Sequence, residues 1–485
     1  MIAIEIYLLL TLVGISFMGL SWIMQDRSSK DPRELRRVAA TIPYIGHAMG
    51  LFWYRSAYYT LVYTMHIIGS AELMNSLHRQ AKTLSFWYLE ARFTAELGTL
   101  SPAASKKLVA NLEPASKARS LLINGLEVTQ RAVSPVWGLD EMIRIAADTT
   151  QVRLDSLARV ENEGLTVNLW NWIQHEITVA TTESVYGSAN PYRDSKVEAG
   201  FWDFADDNLM LMLTKVLPRW FASKAFNGRA VVVQAMARYF ANDDYKNGSS
   251  LVKARHSVLS AEMSLEDLAK FECVNGIAIM TNTVPTAFWT IFYIFSDPKV
   301  LEEVRKQVTA ITWKDELLER GGLKRRINLG KLKDAPILFS VQQEALRFRA
   351  TGTGPRMVME DTDKFLLRKC SVVIIANRAL HFDKETWGET ADAFRADRFC
   401  GKVPGHAFRG FGGGLNLCPG MVFALAEVAA LVAMLVMRFD VVPVGEDVGL
   451  NLNNMSVQVA GPDIKVMVKI IPRKDARNVE WSFEL

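Results

Sequence analysis

One cysteine lies in a sequence setting that could make its sulfur a metal ligand. Residues 411–420 read Phe-Gly-Gly-Gly-Leu-Asn-Leu-Cys-Pro-Gly, and the apolar run from Met421 to Met437 that follows is typical of a helix. The glycines permit backbone conformations and close contacts that a Cβ atom would forbid. Cys418 then falls at the start of a helix, where the dipole and free N–H groups stabilise a thiolate. Such a thiolate could bind iron and favour cleavage of an O–O bond.

Two other interpretations compete for this stretch. A phosphate-binding glycine loop would end in Lys-Ser/Thr, or would join a strand to a helix with an acidic residue downstream, and neither pattern is present. A lone cysteine after a turn is commonly a small buried apolar residue. The other cysteines, Cys273, Cys370 and Cys400, have neither zinc-site spacing nor the density of a disulfide framework. Further motifs are needed to choose between an iron ligand and a buried thiol.

The stretch resembles the haem-binding signature of the cytochrome P-450 family, FxxGx[R/H]xCxG. Phe411, Gly414, Cys418 and Gly420 stand at its defined positions. The resemblance implies that these four residues belong to the cofactor site, that the cofactor is haem b (iron protoporphyrin IX), and that Cys418 is the metal ligand. The resemblance is good from about residue 270 to about residue 435 and indistinct from about 85 to 195.

Three charged residues upstream resemble a second feature of the same family. Glu344 and Arg347 match its ExxR motif, and their spacing puts both on one helical face, where their charges can pair. Arg398, in a segment that resembles FxPxRF, is implied as the third member of a structural ion network. A solvated surface pair is the alternative for Glu344 and Arg347 taken alone. The motifs follow one another in the order that the family has.

Two positions bear on how the propionates of a haem would be held. The Arg or His that the family usually has two residues before the cysteine is Asn416 here, which is shorter and uncharged. Arg356 lies where the family often places another propionate-binding arginine, and charge-assisted hydrogen bonds would suit it. A surface arginine at the start of a strand is an equal alternative. No helix with the usual propionate contacts is identified between residues 85 and 195.

The central helix departs from the family pattern where oxygen would be activated. Thr281 and Asn282 occupy the positions of the usual acid–alcohol pair, so we expect these two residues, with water, to serve as the catalytic pair. Pro285 cannot donate to the carbonyl group of Thr281 and should kink the helix. With Asn416, this stretch resembles the branch that contains the steroid hydroxylases of bile-acid synthesis and prostacyclin synthase.

The elements that must position these residues are mainly helices. Apolar residues recur at helical spacing through most of the chain, and candidate strands are few: Lys364 to Leu367, Ser371 to Ile375 and Ile464 to Ile471. The predicted fold class is mainly α with small β-sheets, and the resemblance implies the cytochrome P-450 fold. Residues 201–240 are predicted either as an amphipathic element that touches a membrane or apolar ligand, or as a pair of core helices.

The N-terminal segment predicts a membrane anchor. Residues 1–26 form the predicted anchor, with a transmembrane helix at about 6–24 that is uncharged and long enough to span a bilayer. The basic residues that follow favour a cytosolic body under the positive-inside rule. A cleaved signal peptide is the alternative. Residues 27–50 are predicted as a basic, proline-containing hinge, and residues 51–485 as a single haem-binding catalytic domain.

Composition and resemblance together define the functional hypotheses. The chain has 485 residues, with 56 Lys and Arg against 52 Asp and Glu, so no basic surface for nucleic acid is indicated. The first hypothesis is a haem-thiolate monooxygenase in the endoplasmic reticulum membrane that hydroxylates or epoxidises a lipophilic small molecule. The expected partners are NADPH-cytochrome P-450 reductase, membrane lipid and a sterol, terpenoid, polyketide or other specialised metabolite. An oxygen-independent haem isomerase or dehydratase, and a non-catalytic membrane haem or lipid-binding protein, are the alternatives.

Overall fold

The computed structural model describes most of the predicted catalytic domain. The described residues are 67–159, 164–208, 211, 219–313, 316–318, 323–362, 367–444, 458–477 and 479–484. The predicted anchor (1–26), the predicted hinge (27–50) and the first residues of the predicted catalytic domain lie outside them.

Helices dominate the described residues, and the strands between them are short. The α-helices are α1 (Ala71–Arg79), α2 (Phe86–Gly98), α3 (Pro102–Val109), α4 (Leu121–Ala132), α5 (Leu139–Arg159), α6 (Leu169–Tyr186), α7 (Ser195–Asp206), α8 (Ser223–Ala241), α9 (Ser250–Leu259), α10 (Leu265–Met280), α11 (Thr283–Ser296), α12 (Pro298–Ala310), α13 (Pro336–Phe348), α14 (Asn377–His381), α15 (Lys384–Trp387) and α16 (Met421–Arg438). The strands are β1 (Ile67–Ile68), β2 (Leu84–Ser85), β3 (Leu165–Asn168), β4 (Glu316–Leu317), β5 (Leu323–Asn328), β6 (Thr353–Val358), β7 (Val372–Ala376), β8 (Gly412–Gly413), β9 (Asn416–Leu417), β10 (Phe439–Val444), β11 (Met467–Pro472) and β12 (Val479–Glu484). The prediction of a mainly α chain with small sheets is confirmed.

Side-chain caps explain where several helices begin. Ser85 accepts a hydrogen bond from the backbone of Tyr88 at the start of α2. Ser264 caps α10 through the backbone N–H of Asp267, at 3.1 Å. Such caps satisfy N–H groups that have no partner within the helix.

The central helix is broken where the sequence predicted a kink. Helix α10 ends at Met280 and α11 begins at Thr283, with Thr281 and Asn282 in a turn between them. Pro285 has no N–H group to donate to the carbonyl group of Thr281. Helical pairing resumes one residue later, since the backbone N–H of Thr286 donates to the carbonyl group of Asn282 at 3.3 Å.

Small sheets tie distant parts of the chain together. One has the order β1-β7-β6-β2, and β6 and β7 pair antiparallel with Arg356 opposite Val373. A second has the order β10-β11-β3, and a third has the order β12-β5-β4, in which β12 and β5 are parallel. Of the predicted strands, Ser371 to Ile375 corresponds to β7. The predicted strand Ile464 to Ile471 corresponds to β11, which begins and ends later in the chain. Most of Lys364 to Leu367 lies outside the described residues.

Two apolar helical segments lie in the core. Leu265–Ser296, which comprises α10 and α11, and α16 are long and apolar enough to cross a membrane, but 67% of the apolar window of each is buried in the fold. Both pack against other helices: α11 contacts α6, α13 and α16. Burial inside the protein accounts for their composition.

Residues 201–240 contain a close helix pair. Helices α7 and α8 pack face to face, and a Cβ atom on Gly228 would lie 2.2 Å from the carbonyl oxygen of Gly200. Phe204 is buried and Trp220 is exposed. The described part of this segment therefore fits the core-helix alternative. Residues 212–218 lie outside the described residues.

Candidate functional site

The cysteine motif forms a tight hairpin that leads into a helix. Strands β8 and β9 pair antiparallel, with Gly413 opposite Asn416. Gly412 and Gly414 have φ angles of 74° and 59°, in the left-handed region that glycine adopts without strain. The backbone N–H of Cys418 donates to the carbonyl group of Phe411 at 2.9 Å and closes the loop. Helix α16 then begins three residues after Cys418, at Met421.

The side chain of Cys418 is exposed, so the buried-thiol alternative does not describe it. The protein around the thiol raises the pKa of Cys418 by desolvation, and the backbone N–H of Gly420 opposes this shift. An exposed sulfur on a loop closed by backbone hydrogen bonds, with an N–H group that favours the thiolate, is an arrangement in which a thiolate can bind a metal ion.

Behind this loop, the three predicted ion-network residues lie together in the protein interior. Arg347 donates to both carboxylate oxygens of Glu344, at 2.7 and 2.8 Å, and both side chains are 0% exposed. Arg398 donates to the same carboxylate at 3.0 Å. The surface-pair alternative is therefore wrong for this chain. The remaining N–H groups of Arg347 and Arg398 bind backbone carbonyl groups of residues 381–393, so the buried charges are fully partnered.

His381 joins this network to the residues before the cysteine loop. Its Nε2 atom accepts a hydrogen bond from the backbone N–H of Arg409 at 2.8 Å, so the ring proton must be on Nδ1, which donates to the carbonyl oxygen of Arg347 at 2.9 Å. Burial lowers the pKa of His381 to about 3. The ring is therefore a neutral, fixed link between the network and Arg409.

Three basic side chains converge beside the loop. Arg356, on β6, is 3% exposed, and Arg409 is 6% exposed. The ring of His78, at the end of α1, lies 3.1 Å from a terminal nitrogen of Arg409. We call Arg356, Arg409 and His78 the basic cluster. The surface alternative for Arg356 is wrong.

The electrostatics of the basic cluster indicate a missing negative charge. Burial lowers the pKa of Arg356 and of Arg409 to about 10, and the charge of Arg409 contributes to the shift at Arg356. Burial and then the charges of both arginines lower the pKa of His78. The Nε atoms of both arginines are buried without an acceptor among the described residues, and no described carboxylate forms an ion pair with either. Buried charges without counter-charge are costly.

Glycines of the loop make room for this cluster. A Cβ atom on Gly413 would lie 2.4 Å from the guanidinium group of Arg409, and one on Gly414 would lie 3.0 Å from the ring of His78. The sequence analysis missed both residues. Arg409, two residues before Phe411, could have been considered once Asn416 was seen to lack a charge, whereas nothing in the sequence singles out His78.

The predicted catalytic pair lies at the break in the central helix. The hydroxyl group of Thr281 donates to the carbonyl oxygen of Ile277 at 2.8 Å, and Thr281 is buried. The side-chain oxygen of Asn282 is buried without a hydrogen-bond partner among the described residues. A buried amide oxygen with no partner is uncommon and is available to a bound molecule or water.

These residues fit a haem. The cofactor presents an iron atom, for which Cys418 offers a sulfur, and two propionate carboxylates, for which Arg356 and Arg409 offer Nε–H donors that lack acceptors among the described residues. Asn416 pairs with Gly413 in the loop, as part of β9.

Comparisons with known proteins agree with the site. The sequence model of the family described as Cytochrome P450 matches residues 203–470. The chain is 30% identical to the cytochrome P450 monooxygenase nodJ of Hypoxylon pulicicidum over an alignment of 513 positions, gaps included, which covers 99% of this chain and 97% of the relative. It is 29% identical to a cytochrome P450 monooxygenase of Gibberella zeae over 67% of this chain and 66% of the relative.

The branch implied by the sequence also appears among the relatives. The human 7-alpha-hydroxycholest-4-en-3-one 12-alpha-hydroxylase is 30% identical over 37% of this chain and 40% of its own length. Its name describes a steroid hydroxylase. From the match to the family and the full-length similarity to nodJ, the chain belongs to the cytochrome P450 family, and it is a monooxygenase with haem as its cofactor.

Proposed function

We propose that this monooxygenase inserts one oxygen atom into a C–H or C=C bond of a lipophilic small molecule, with electrons from NADPH-cytochrome P450 reductase. The observation that carries the proposal is the position of Cys418, which is exposed just before α16 on the loop whose Gly413 and Gly414 lie against the basic cluster. A sterol, terpenoid, polyketide or other specialised metabolite fits the steroid hydroxylase among the relatives. The products would belong to sterol or specialised metabolism.

Each group at the site has a proposed role. Bound haem supplies the activation of dioxygen at an iron held by the Cys418 thiolate. Phe411, Gly414 and Gly420 shape the loop that presents this sulfur, and Asn416 lies at the adjacent strand pair. Arg356 holds a propionate. We add Arg409 and His78, which supply the donors that Asn416 does not.

The ion network has a structural role in this proposal. The network of Glu344, Arg347 and Arg398 holds residues 381–398 against α13. His381 extends this support to Arg409, because its ring accepts a hydrogen bond from the backbone N–H of Arg409. We assign Thr281 and Asn282 to the substrate side, where the Asn282 oxygen, which has no partner among the described residues, would orient water or a polar group of the substrate.

The proposed location is the endoplasmic reticulum membrane, with the catalytic domain in the cytosol. The uncharged residues 6–24 and the basic residues that follow support a single N-terminal anchor. An anchored domain would receive its lipophilic substrate from the bilayer. The anchored chain should remain with membranes after carbonate extraction, whereas a chain without residues 1–26 should be released.

The spectrum of the reduced protein with carbon monoxide tests the ligand assignment. We expect a strongly red-shifted Soret band from the natural chain and loss of that band in Cys418→Ala. A matched control is Cys400→Ala, since Cys400 is exposed but lies outside the loop, and its spectrum should be unchanged. An unchanged spectrum in Cys418→Ala would contradict the assignment of the iron ligand.

The isomerase or dehydratase alternative has one motivation, the Thr281 and Asn282 pair in place of an acid and an alcohol. Reconstitution with and without reductase, NADPH and dioxygen separates it from the monooxygenase. Product that forms only with all three, and that carries ¹⁸O from labelled dioxygen, supports the proposal. Product from an oxidised lipid without them supports the alternative. The family assignment argues against the third hypothesis, a non-catalytic binding protein.

A further inference from the structure

An aromatic ring lies against the buried guanidinium group of Arg356. The guanidinium carbon lies over the ring of Phe86, 5.0 Å from the ring centre. One terminal nitrogen of Arg356 donates to the carbonyl oxygen of Pro355 at 2.7 Å, whereas the Nε–H group has no acceptor among the described residues. The side chain is therefore held by a ring and by one backbone carbonyl group, and it retains a donor for a ligand.

The register of a small sheet brings Phe86 and Arg356 together. Strands β2 and β6 are antiparallel, with Ser85 opposite Met357. One further step in this register sets Phe86 opposite Arg356. Side chains at directly opposite positions of an antiparallel pair point to the same face, with Cβ atoms about 5 Å apart. Because β6 also pairs with β7 on its other side, the contact follows from the backbone and not from a chance side-chain conformation.

The backbone and ring of Phe86 are themselves held in place. Phe86 is the first residue of α2, and the side chain of Ser85 caps this helix by accepting from the backbone N–H of Tyr88 at 3.2 Å. The ring of Trp87 meets that of Phe86 edge to face, with centres 5.0 Å apart and planes at 70°. Trp87 in turn packs against the main hydrophobic core. Phe86 therefore offers a fixed surface to Arg356.

This kind of contact suits an arginine that must bind an anion. The face of an aromatic ring attracts a guanidinium group through the ring quadrupole and uses none of the N–H donors, which lie in the guanidinium plane. A carboxylate of the protein would instead occupy those donors and neutralise the charge. The like charge of Arg409 also acts on Arg356. The ring therefore counteracts a repulsion while it leaves the Nε–H group available.

We propose that Phe86 is a positioning residue for Arg356. It fixes the guanidinium group with its Nε–H donor available to a haem propionate, and it keeps water from one face of that ion pair. This inference rests on the proposed function, in which Arg356 holds a propionate. The alternative is that the ring only packs α2 against β6, without an effect that passes through the arginine.

Haem loss to excess apomyoglobin measures the effect of the ring. Phe86→Leu keeps an apolar side chain and removes the ring face, so we expect haem to be lost roughly 3- to 30-fold faster than from the natural chain. Phe86→Tyr keeps the ring and should lose haem at close to the natural rate. Phe86→Met, with an unbranched side chain that adapts to its surroundings, replaces Phe86→Leu if that variant does not fold.

A double-mutant cycle separates positioning from packing. If Phe86 acts through Arg356, then Phe86→Leu should have no further effect on the haem-loss rate in a chain that already carries Arg356→Gln. A ring that only packs α2 against β6 would have the same effect in both backgrounds. Resonance Raman spectra of the haem-loaded protein give a second measure, since the propionate bending band responds to the hydrogen bonds of the propionate. We expect the band to shift in the same direction in Phe86→Leu and in Arg356→Gln.

Phe226→Leu is the matched control. Phe226 lies on α8, and its ring centre is 5.4 Å from the guanidinium carbon of Arg229. The same substitution therefore removes an arginine–phenylalanine contact outside the basic cluster. Its haem-loss rate and its propionate band should equal those of the natural chain.

The outcomes separate this inference from the proposed function. Natural rates and an unchanged band in Phe86→Leu, or an effect of full size in the Arg356→Gln background, overturn the role of Phe86. If Arg356→Gln itself changes neither measurement, the propionate contact of Arg356 is overturned and this inference with it, whereas a red-shifted Soret band with carbon monoxide would still support Cys418 as the ligand. Absence of that Soret band in the natural chain overturns the proposed function.

Discussion

Arg409 shows most clearly how single residues at this site depend on a partner from outside the chain. Its backbone is fixed by His381, and its guanidinium group lies against His78 and the glycine loop. Burial lowers the pKa of Arg409, because the charge lies in a poorly solvated place without a described carboxylate beside it. A haem propionate would provide that carboxylate.

Replacement of Arg409 by Gln should weaken haem binding. A hydrogen bond to a charged group contributes about 1.5–3 kcal/mol, which corresponds to a roughly 10- to 100-fold increase in the haem dissociation constant. The transfer of haem to excess apomyoglobin measures this change as a faster rate of haem loss.

Arg395→Gln is the control for this prediction, because Arg395 is an exposed arginine of the same region that pairs with Asp397 at 3.0 Å. Its haem-loss rate should equal that of the natural chain. If Arg409→Gln also loses haem at the natural rate, Arg409 does not hold a propionate.

At the scale of secondary-structure elements, two glycines allow the close contact between α7 and α8. The backbones approach so closely that a Cβ atom on Gly228 would lie 2.2 Å from the carbonyl oxygen of Gly200. The obstacle is backbone, which cannot rotate away as a flexible side chain can. The helices must therefore separate if either position gains a side chain.

Gly228→Ala should destabilise the protein despite the better helix propensity of alanine. Overpacking of this kind costs roughly 1–3 kcal/mol. The midpoint of urea unfolding of the haem-loaded protein, followed by far-ultraviolet circular dichroism, should fall.

Gly125→Ala should have the opposite effect. Gly125 lies within α4, and a Cβ atom there would meet no heavy atom within 4 Å. Without a clash, alanine should stabilise the helix by about 0.5–1 kcal/mol. Equal shifts in the two variants would mean that the α7–α8 contact is looser than the structure has it.

At the scale of the whole molecule, the C-terminal strand is part of the fold. Strand β12 pairs in parallel with β5 over six residues, from Val479 opposite Leu323 to Glu484 opposite Asn328. Trp481 is 1% exposed, and the guanidinium group of Arg325 lies 5.5 Å from its ring centre. The last strand thus fastens the region before α13, the helix that carries Glu344 and Arg347.

Trp481→Ala should therefore lower global stability. Removal of a buried tryptophan side chain costs about 3–5 kcal/mol, measured again as the urea midpoint. Trp313→Ala is the matched control, because Trp313 is 51% exposed and the ammonium group of Lys331 lies over its ring. Loss of this side chain should lower the free energy of unfolding by about 1 kcal/mol or less. A small effect at Trp481 would show that β12 is dispensable.

Local spacing in the sequence determined the features that need only neighbouring residues. The glycine loop places Cys418 before a helix because glycines at positive φ and the following apolar run act within ten residues. Pro285 predicts the break after Met280 because it removes one hydrogen bond of its own helix. The fold class likewise follows from the repeat of apolar residues along each segment.

Tertiary structure alone decided which distant side chains meet. His78 and Arg409 are 331 residues apart in the chain, and Glu344 and Arg398 are 54 apart. Whether Arg356 was a surface residue or a buried one remained open because its burial depends on the packing of β6. Burial, counter-charge and the direction that a helix face points all arise from long-range contacts.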